Sequence, residues 1–120
     1  MSQQQIDLDD FDRFRERMHE RIQGEGNLQI NRFFSLDNQT YREGALDVKT
    51  KELLGLVSSM VLRCDDCITF HLINSVEAGA TNEELFETFN VALIVGGSIV
   101  IPHLRRAVDT LDRVRDNGTD

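Results

Sequence analysis

The chain is short of several things, and each shortage narrows its function. It has 13 lysines and arginines against 21 aspartates and glutamates, a net charge of −8. No basic stripe offsets that balance, which argues against a nucleic-acid partner and against an anionic membrane surface. It has no long apolar run. The longest, from Val91 to Ile101, is interrupted by Gly96 and Gly97 and falls short of the roughly eighteen residues of a membrane span. The start, Met1-Ser-Gln-Gln-Gln-Ile-Asp, lacks the basic and apolar regions of a signal peptide, so a cytoplasmic location is expected. No segment alternates as a strand does, no internal repeat is visible, and no shift of composition marks a second domain.

What remains is helical. The 120 residues, 40% hydrophobic and 28% charged, suit one small globular domain. From Ile6 to Gln23, Phe11, Phe14, Met18 and Ile22 recur at steps of three and four, predicting an amphipathic helix stopped by Gly24 and Gly26. Leu28–Leu36 predicts a short helix, Asp37–Thr40 a turn, and Gly44 a further break. Asp47 is a suitable N-cap for a helix over Val48–Leu62. Cys64–Ala78 predicts the next, closed by Gly79 at C′. Thr81-Asn82-Glu83-Glu84 is a capping box opening a helix to about Val95, apolar nearly all round and so expected to be buried. Gly96-Gly97-Ser98 breaks it, Gly96 and Gly97 allowing close packing on a neighbour. A last helix follows from about Ile99 to Val114, with Pro102, the only proline, tolerable near its start. Residues 1–5 and the tail from Asp116 read as loose. The expectation is an all-α, single-domain bundle of about six helices. So much all-round apolar helix in so short a chain also predicts a homo-oligomer.

The chemistry lies between Glu52 and His71. Both cysteines are there, spaced C-x-x-C as Cys64 and Cys67, and His71 follows the second by four residues. On a helix, positions 64, 67 and 71 share a face. In a reducing compartment such a pair is more often catalytic or metal-binding than a structural staple. A free thiol with a pKa of about 8.5 is mostly protonated at neutral pH. A helix start favours an anion at Cys64, and an imidazolium at His71 favours one at Cys67. Asp65 and Asp66 oppose both, though they also complement the helix N-terminus. Along one unbroken helix Glu52 and Cys64 would point about a third of a turn apart. A break near Arg63 lets two helices fold back, so that Glu52 faces the cysteines and can hold His71. One thiolate would then attack a peroxide or disulfide, and the other would close a C-x-x-C bridge.

Plainer readings stand beside this one. Two cysteines can be small buried hydrophobes. Zinc would need four ligands, and only Cys64, Cys67 and His71 converge, with Glu52 or Asp66 as a fourth, so no metal and no cofactor is expected. His19 and His103 are isolated and read as bland.

Several separated motifs carry a resemblance: Gly44–Leu54 with Glu52, Arg63–His71, Ala78–Leu85, and Gly96-Gly97. In these the chain resembles the carboxymuconolactone decarboxylase family, and within it the alkylhydroperoxidase D-like branch. The resemblance spans about residues 28–114, between an N-terminal helix over 1–27 and a tail over 115–120. It implies an all-helical fold assembled as homotrimers or hexamers, and a thiol-dependent peroxidase or disulfide reductase fed by a dithiol reductant. Glu52 and His71 match a proton relay, and Cys64 and Cys67 the redox pair. Cys67 would meet the peroxide, deprotonated through His71 and Glu52, while Cys64, nearer the surface, would resolve it. Peroxidase members often carry a histidine just before the second cysteine; here Asp66 stands there, and a carboxylate raises a thiol's pKa. The lactone-decarboxylating members imply a lyase alternative built on Glu52 and His71, though nothing suggests an anionic lactone site. A non-catalytic redox sensor using the same disulfide is the third reading.

Overall fold

The structure, a computed structural model, describes residues 7–118. They form six α-helices and one 3₁₀ turn, with no strand among the described residues: α1 (Leu8–Gly24), α2 (Leu28–Thr40), α3 (Val48–Leu62), α4 (Asp65–Glu77), α5 (Asn82–Gly96), the turn Ser98–Val100, and α6 (Ile101–Gly118). The all-α expectation holds. The chain divides into two compact units, Met1–Arg42 and Glu43–Asp120.

The first unit is a pair of helices. Asp7 caps α1 by accepting from the N–H groups of Asp9 and Asp10, and Asn27 caps α2 by accepting from Ile30. The rings of His19 and Phe34 meet at 4.6 Å. The turn expected at Asp37–Thr40 is instead the end of α2. Its polar side chains lie exposed and bond within the helix: Thr40 Oγ1 donates to the Leu36 carbonyl, and Gln39 Nε2 to Ser35 Oγ. Turn-prone residues are compatible with a helix when their side chains are satisfied locally.

The second unit holds the core. Leu56 and Met60 of α3, Ile68 and Leu72 of α4, Leu85, Phe89 and Ala92 of α5, and Ala107 and Leu111 of α6 are buried together with Val100. Each large side chain there is worth roughly 1.5–3 kcal/mol of transfer free energy. Local chemistry sets the helix ends. Asp47 caps α3 through the Thr50 N–H. Thr81 and Glu84 form the reciprocal capping box of α5. Glu84 also takes Lys49 Nζ at 2.9 Å, tying α5 to α3.

Two expectations fail here. The tail expected from Asp116 continues as helix to Gly118. And α5 is not buried all round: Leu85, Phe89 and Ala92 face the core, while Phe86, Val91, Val95 and above all Ile94, 86% exposed, do not. A single chain covers only one stripe of this helix. Of the two glycines at its end, Gly96 packs closely as expected, whereas Gly97 has no close neighbour and serves to break the helix. A Cβ at Gly96 would sit 2.6 Å from Val100 Cγ2, and Gly97 takes the positive φ of 84° that ends α5.

Candidate active site

The link between α3 and α4 builds the site. Arg63 ends α3 in the left-handed conformation, with φ 62°. Its N–H returns to the Met60 carbonyl and that of Cys64 to the Ser59 carbonyl, the paired closure of a Schellman turn. Glycine usually occupies the left-handed position, and an L side chain there costs about 1–2 kcal/mol. The turn reverses the chain within one residue, and Cys64 becomes the N-cap of α4. Its sulfur accepts from the Cys67 N–H at 3.3 Å. A sulfur in that place receives an unpaired helix-start N–H and the positive end of the helix dipole.

The reversal brings α4 back along α3, and Glu52 meets His71. Glu52 Oε1 lies 2.9 Å from His71 Nδ1, with Glu52 7% and His71 12% exposed at the side chain. A carboxylate only accepts, so Nδ1 carries the proton in this pairing. Pairing removes the cost of burying the carboxylate alone. Gly55, one turn after Glu52, makes room for the ring. A Cβ there would lie 2.7–2.9 Å from His71 Cε1, Nδ1 and Nε2. Sequence reasoning missed Gly55. The available signal was a glycine inside a helix, where it costs about 1 kcal/mol against alanine and so calls for a packing reason.

Both cysteines are free thiols, and their order of exposure reverses the expectation: Cys67 is exposed and Cys64 partly buried. The opposing charge expected from Asp66 is present at Cys67. Its pKa is pushed up to about 11, first by its hydrogen bond with Cys64, then by burial, by charge on Cys64 and by Asp66, with its own backbone N–H opposing. Of the two, Cys64 is the sulfur that accepts a helix-start N–H, and Cys67 is the thiol whose pKa is raised.

Asp65 differs from Asp66. Asp66 is exposed on the first turn, whereas Asp65 is held by α6, through His103 Nδ1 at 2.8 Å and Arg106 Nε at 3.0 Å. The bland reading of His103 is therefore corrected; the fold brings it to the C-x-x-C segment from 38 residues away. His19 belongs to the first unit, where its ring meets that of Phe34. Among the described residues no three His, Cys, Asp or Glu side chains are grouped to hold a metal ion, and no helix is long and apolar enough to cross a membrane.

A C-x-x-C pair opening α4, with His71 one turn further along that helix and paired to the buried Glu52, defines an all-helical protein with a C-x-x-C motif. The chain belongs to the carboxymuconolactone decarboxylase family, whose family model matches residues 30–110. The crystal structure of a member from Thermotoga maritima, with suggested involvement in the antioxidative response, is similar with a TM-score of 0.88. That protein is 55% identical, over 92% of this chain and 93% of that one. A family member from Legionella pneumophila is similar at a TM-score of 0.65 and 32% identity, over 88% of each chain. The "uncharacterized protein 4 in cox locus" of Paracoccus denitrificans is 32% identical over 82 residues, 68% of this chain and 74% of that one.

Proposed function

We propose that the protein is a thiol-dependent oxidoreductase that reduces a hydroperoxide through Cys64 and Cys67, with His71 and Glu52 as proton relay. The observation that carries this reading is the buried pair, 2.9 Å apart, of Glu52 on α3 with His71 on α4, the helix that begins with the two free thiols. The antioxidative involvement suggested for the Thermotoga maritima protein, at 55% identity, favours it too.

The cycle follows from the two environments. Cys64, as thiolate, attacks the terminal peroxide oxygen, and the O–O bond breaks. The alkoxide leaves as an alcohol with a proton from the His71 imidazolium, and Cys64 becomes a sulfenic acid. His71, now neutral and held by Glu52, takes the proton of Cys67 one helical turn away. A thiol pushed up to about 11 needs such a base. Cys67 then attacks the Cys64 sulfur, hydroxide leaves as water with the proton His71 received, and a Cys64–Cys67 disulfide forms. A small dithiol or a reduced protein dithiol returns two electrons by exchange. A protein disulfide in place of the peroxide would draw on the same exchange chemistry.

The test is consumption of an organic hydroperoxide by purified protein with dithiothreitol as reductant. Cys64→Ser and Cys67→Ser are each expected to abolish turnover. Turnover that persists in the double serine variant overturns the reading and favours acid–base lyase chemistry at Glu52 and His71. A disulfide that forms without turnover favours a redox sensor.

A further inference from the structure

Asp65 lies beside Cys64 in sequence, and its carboxylate is bonded by two residues of α6. His103 Nδ1 stands 2.8 Å from Asp65 Oδ1, and Arg106 Nε donates to Asp65 Oδ2 at 3.0 Å. Because the carboxylate only accepts, His103 donates from Nδ1. The 3.3 Å approach of Arg106 Nη2 to that same nitrogen then sets two donors side by side on one carboxylate. The His103 side chain is 16% exposed and that of Arg106 32%, so the arrangement is partly shielded from water. Capping α4 does not require it. Asp65 complements the dipole of its own helix from the first turn, and the cap is supplied by Cys64.

We propose that His103 and Arg106 are positioning residues of the dithiol: acting through Asp65, they fix the first turn of α4 and offset an anion beside Cys64, so that its sulfur can carry negative charge. Without them the Asp65 carboxylate is a mobile, uncompensated charge next to the sulfur that must become a thiolate. With them, both oxygens are bonded towards α6 and an arginine balances the charge. The first-turn backbone that sends the Cys67 N–H to Cys64 Sγ is held from the same side. This rests on the redox reading of Cys64 and Cys67, but its readout requires no turnover.

The experiment measures iodoacetamide alkylation of Cys64 at pH 7 in the reduced full-length protein, with the modified site resolved by peptide mass. His103→Leu is expected to slow alkylation about three- to fivefold, the scale of one partly exposed charge interaction. His103→Asn should restore it, because an asparagine amide can donate from the place of Nδ1. On an Asp65→Asn background, His103→Leu should change the rate no further. A rate unaltered by His103→Leu, no restoration by His103→Asn, or an equal loss on the Asp65→Asn background would each overturn the proposal. Should His103→Leu lose its fold by circular dichroism, Arg106→Gln supplies the same test, with the same expected slowing and an unaltered rate as the overturning result. A wild-type protein that consumes no hydroperoxide sinks the peroxidase reading and leaves these alkylation ratios measurable, so the two fail separately.

Discussion

Glu52 Oε1 and His71 Nδ1 are 2.9 Å apart across α3 and α4, and the pairing assigns the imidazole's two nitrogens different tasks. Nδ1 is committed to the carboxylate, so under the proposed mechanism Nε2 is the nitrogen that would transfer protons. In the hydroperoxide assay His71→Gln is therefore expected to lower turnover about a hundredfold or more, the usual scale of a lost general base. Glu52→Gln, which keeps an acceptor for Nδ1 but loses the charge that stabilises the imidazolium, should cost less. Equal activity in wild type and His71→Gln would remove the relay from the mechanism.

Exposure and reactivity should run in opposite directions at the two thiols. Cys67 is the more exposed, yet its pKa is pushed up to about 11. At pH 7 its thiolate is a tiny fraction, so iodoacetamide should modify Cys64 first. Because the shift is upward, labelling of Cys67 should rise only as pH climbs towards 11. Cys67 labelled first at neutral pH would contradict the assignment of Cys64 as the attacking thiol.

Gly55→Ala isolates the space under the imidazole. Helix propensity alone would favour alanine by about 1 kcal/mol. The new Cβ, however, would meet the ring at 2.7–2.9 Å, and such overpacking costs roughly 1–3 kcal/mol. A lower melting temperature and a loss of turnover close to that of Glu52→Gln are expected. A variant more stable than wild type with full activity would show that the ring moves without consequence.

Acid should loosen the tie between α3 and α5. The Glu84 carboxyl is held below its ordinary value, first by the Thr81 N–H and then by Lys49. Asp47 is held low by its hydrogen bonds with Thr50. A carboxylate lowered on folding contributes stability above its unfolded pKa and loses it as pH falls through the folded one. Thermal melts should drop below about pH 4.5, and Glu84→Gln should flatten that drop. A Glu84→Gln melt with the wild-type acid dependence would exclude this group as a source.

The outer stripe of α5 predicts association of like chains. Phe86, Val91, Ile94 and Val95 are too apolar and too exposed for a helix surface with nothing against it. Light scattering at micromolar concentration should give a trimeric or hexameric multiple of 13.7 kDa, and Ile94→Glu should lower it. A wild-type mass of one chain would end the idea.

How far the sequence is legible depends on the distance over which each contact acts. Asp47, Thr81 and Glu84 announce their helix starts because a cap is written in residues three apart. The break at Arg63 and the meeting of Glu52 with His71 follow from a chain that must reverse between two apolar helices. His103 and Arg106 carry no such mark. Their partner Asp65 is 38 and 41 residues away, and only packing of α6 against α4 unites them. Gly55 gives a cost but not a beneficiary, since the ring it admits belongs to another helix. The unequal setting of the two thiols was hidden as well. It depends on which residue sits at the N-cap, and a one-residue shift of the helix start would take Cys64 out of that place.

The sulfur that would form the disulfide is also the sulfur that receives the Cys67 amide hydrogen. Once bonded to Cys67 it carries no charge and is a poor acceptor, so oxidation uncaps α4, and a lost cap typically costs about 1 kcal/mol. The first-turn amides of the oxidised protein should then exchange with deuterium several-fold faster than those of the reduced one. Under the proposed chemistry, helix fraying at Asp65–Cys67 would report how many electrons the dithiol holds.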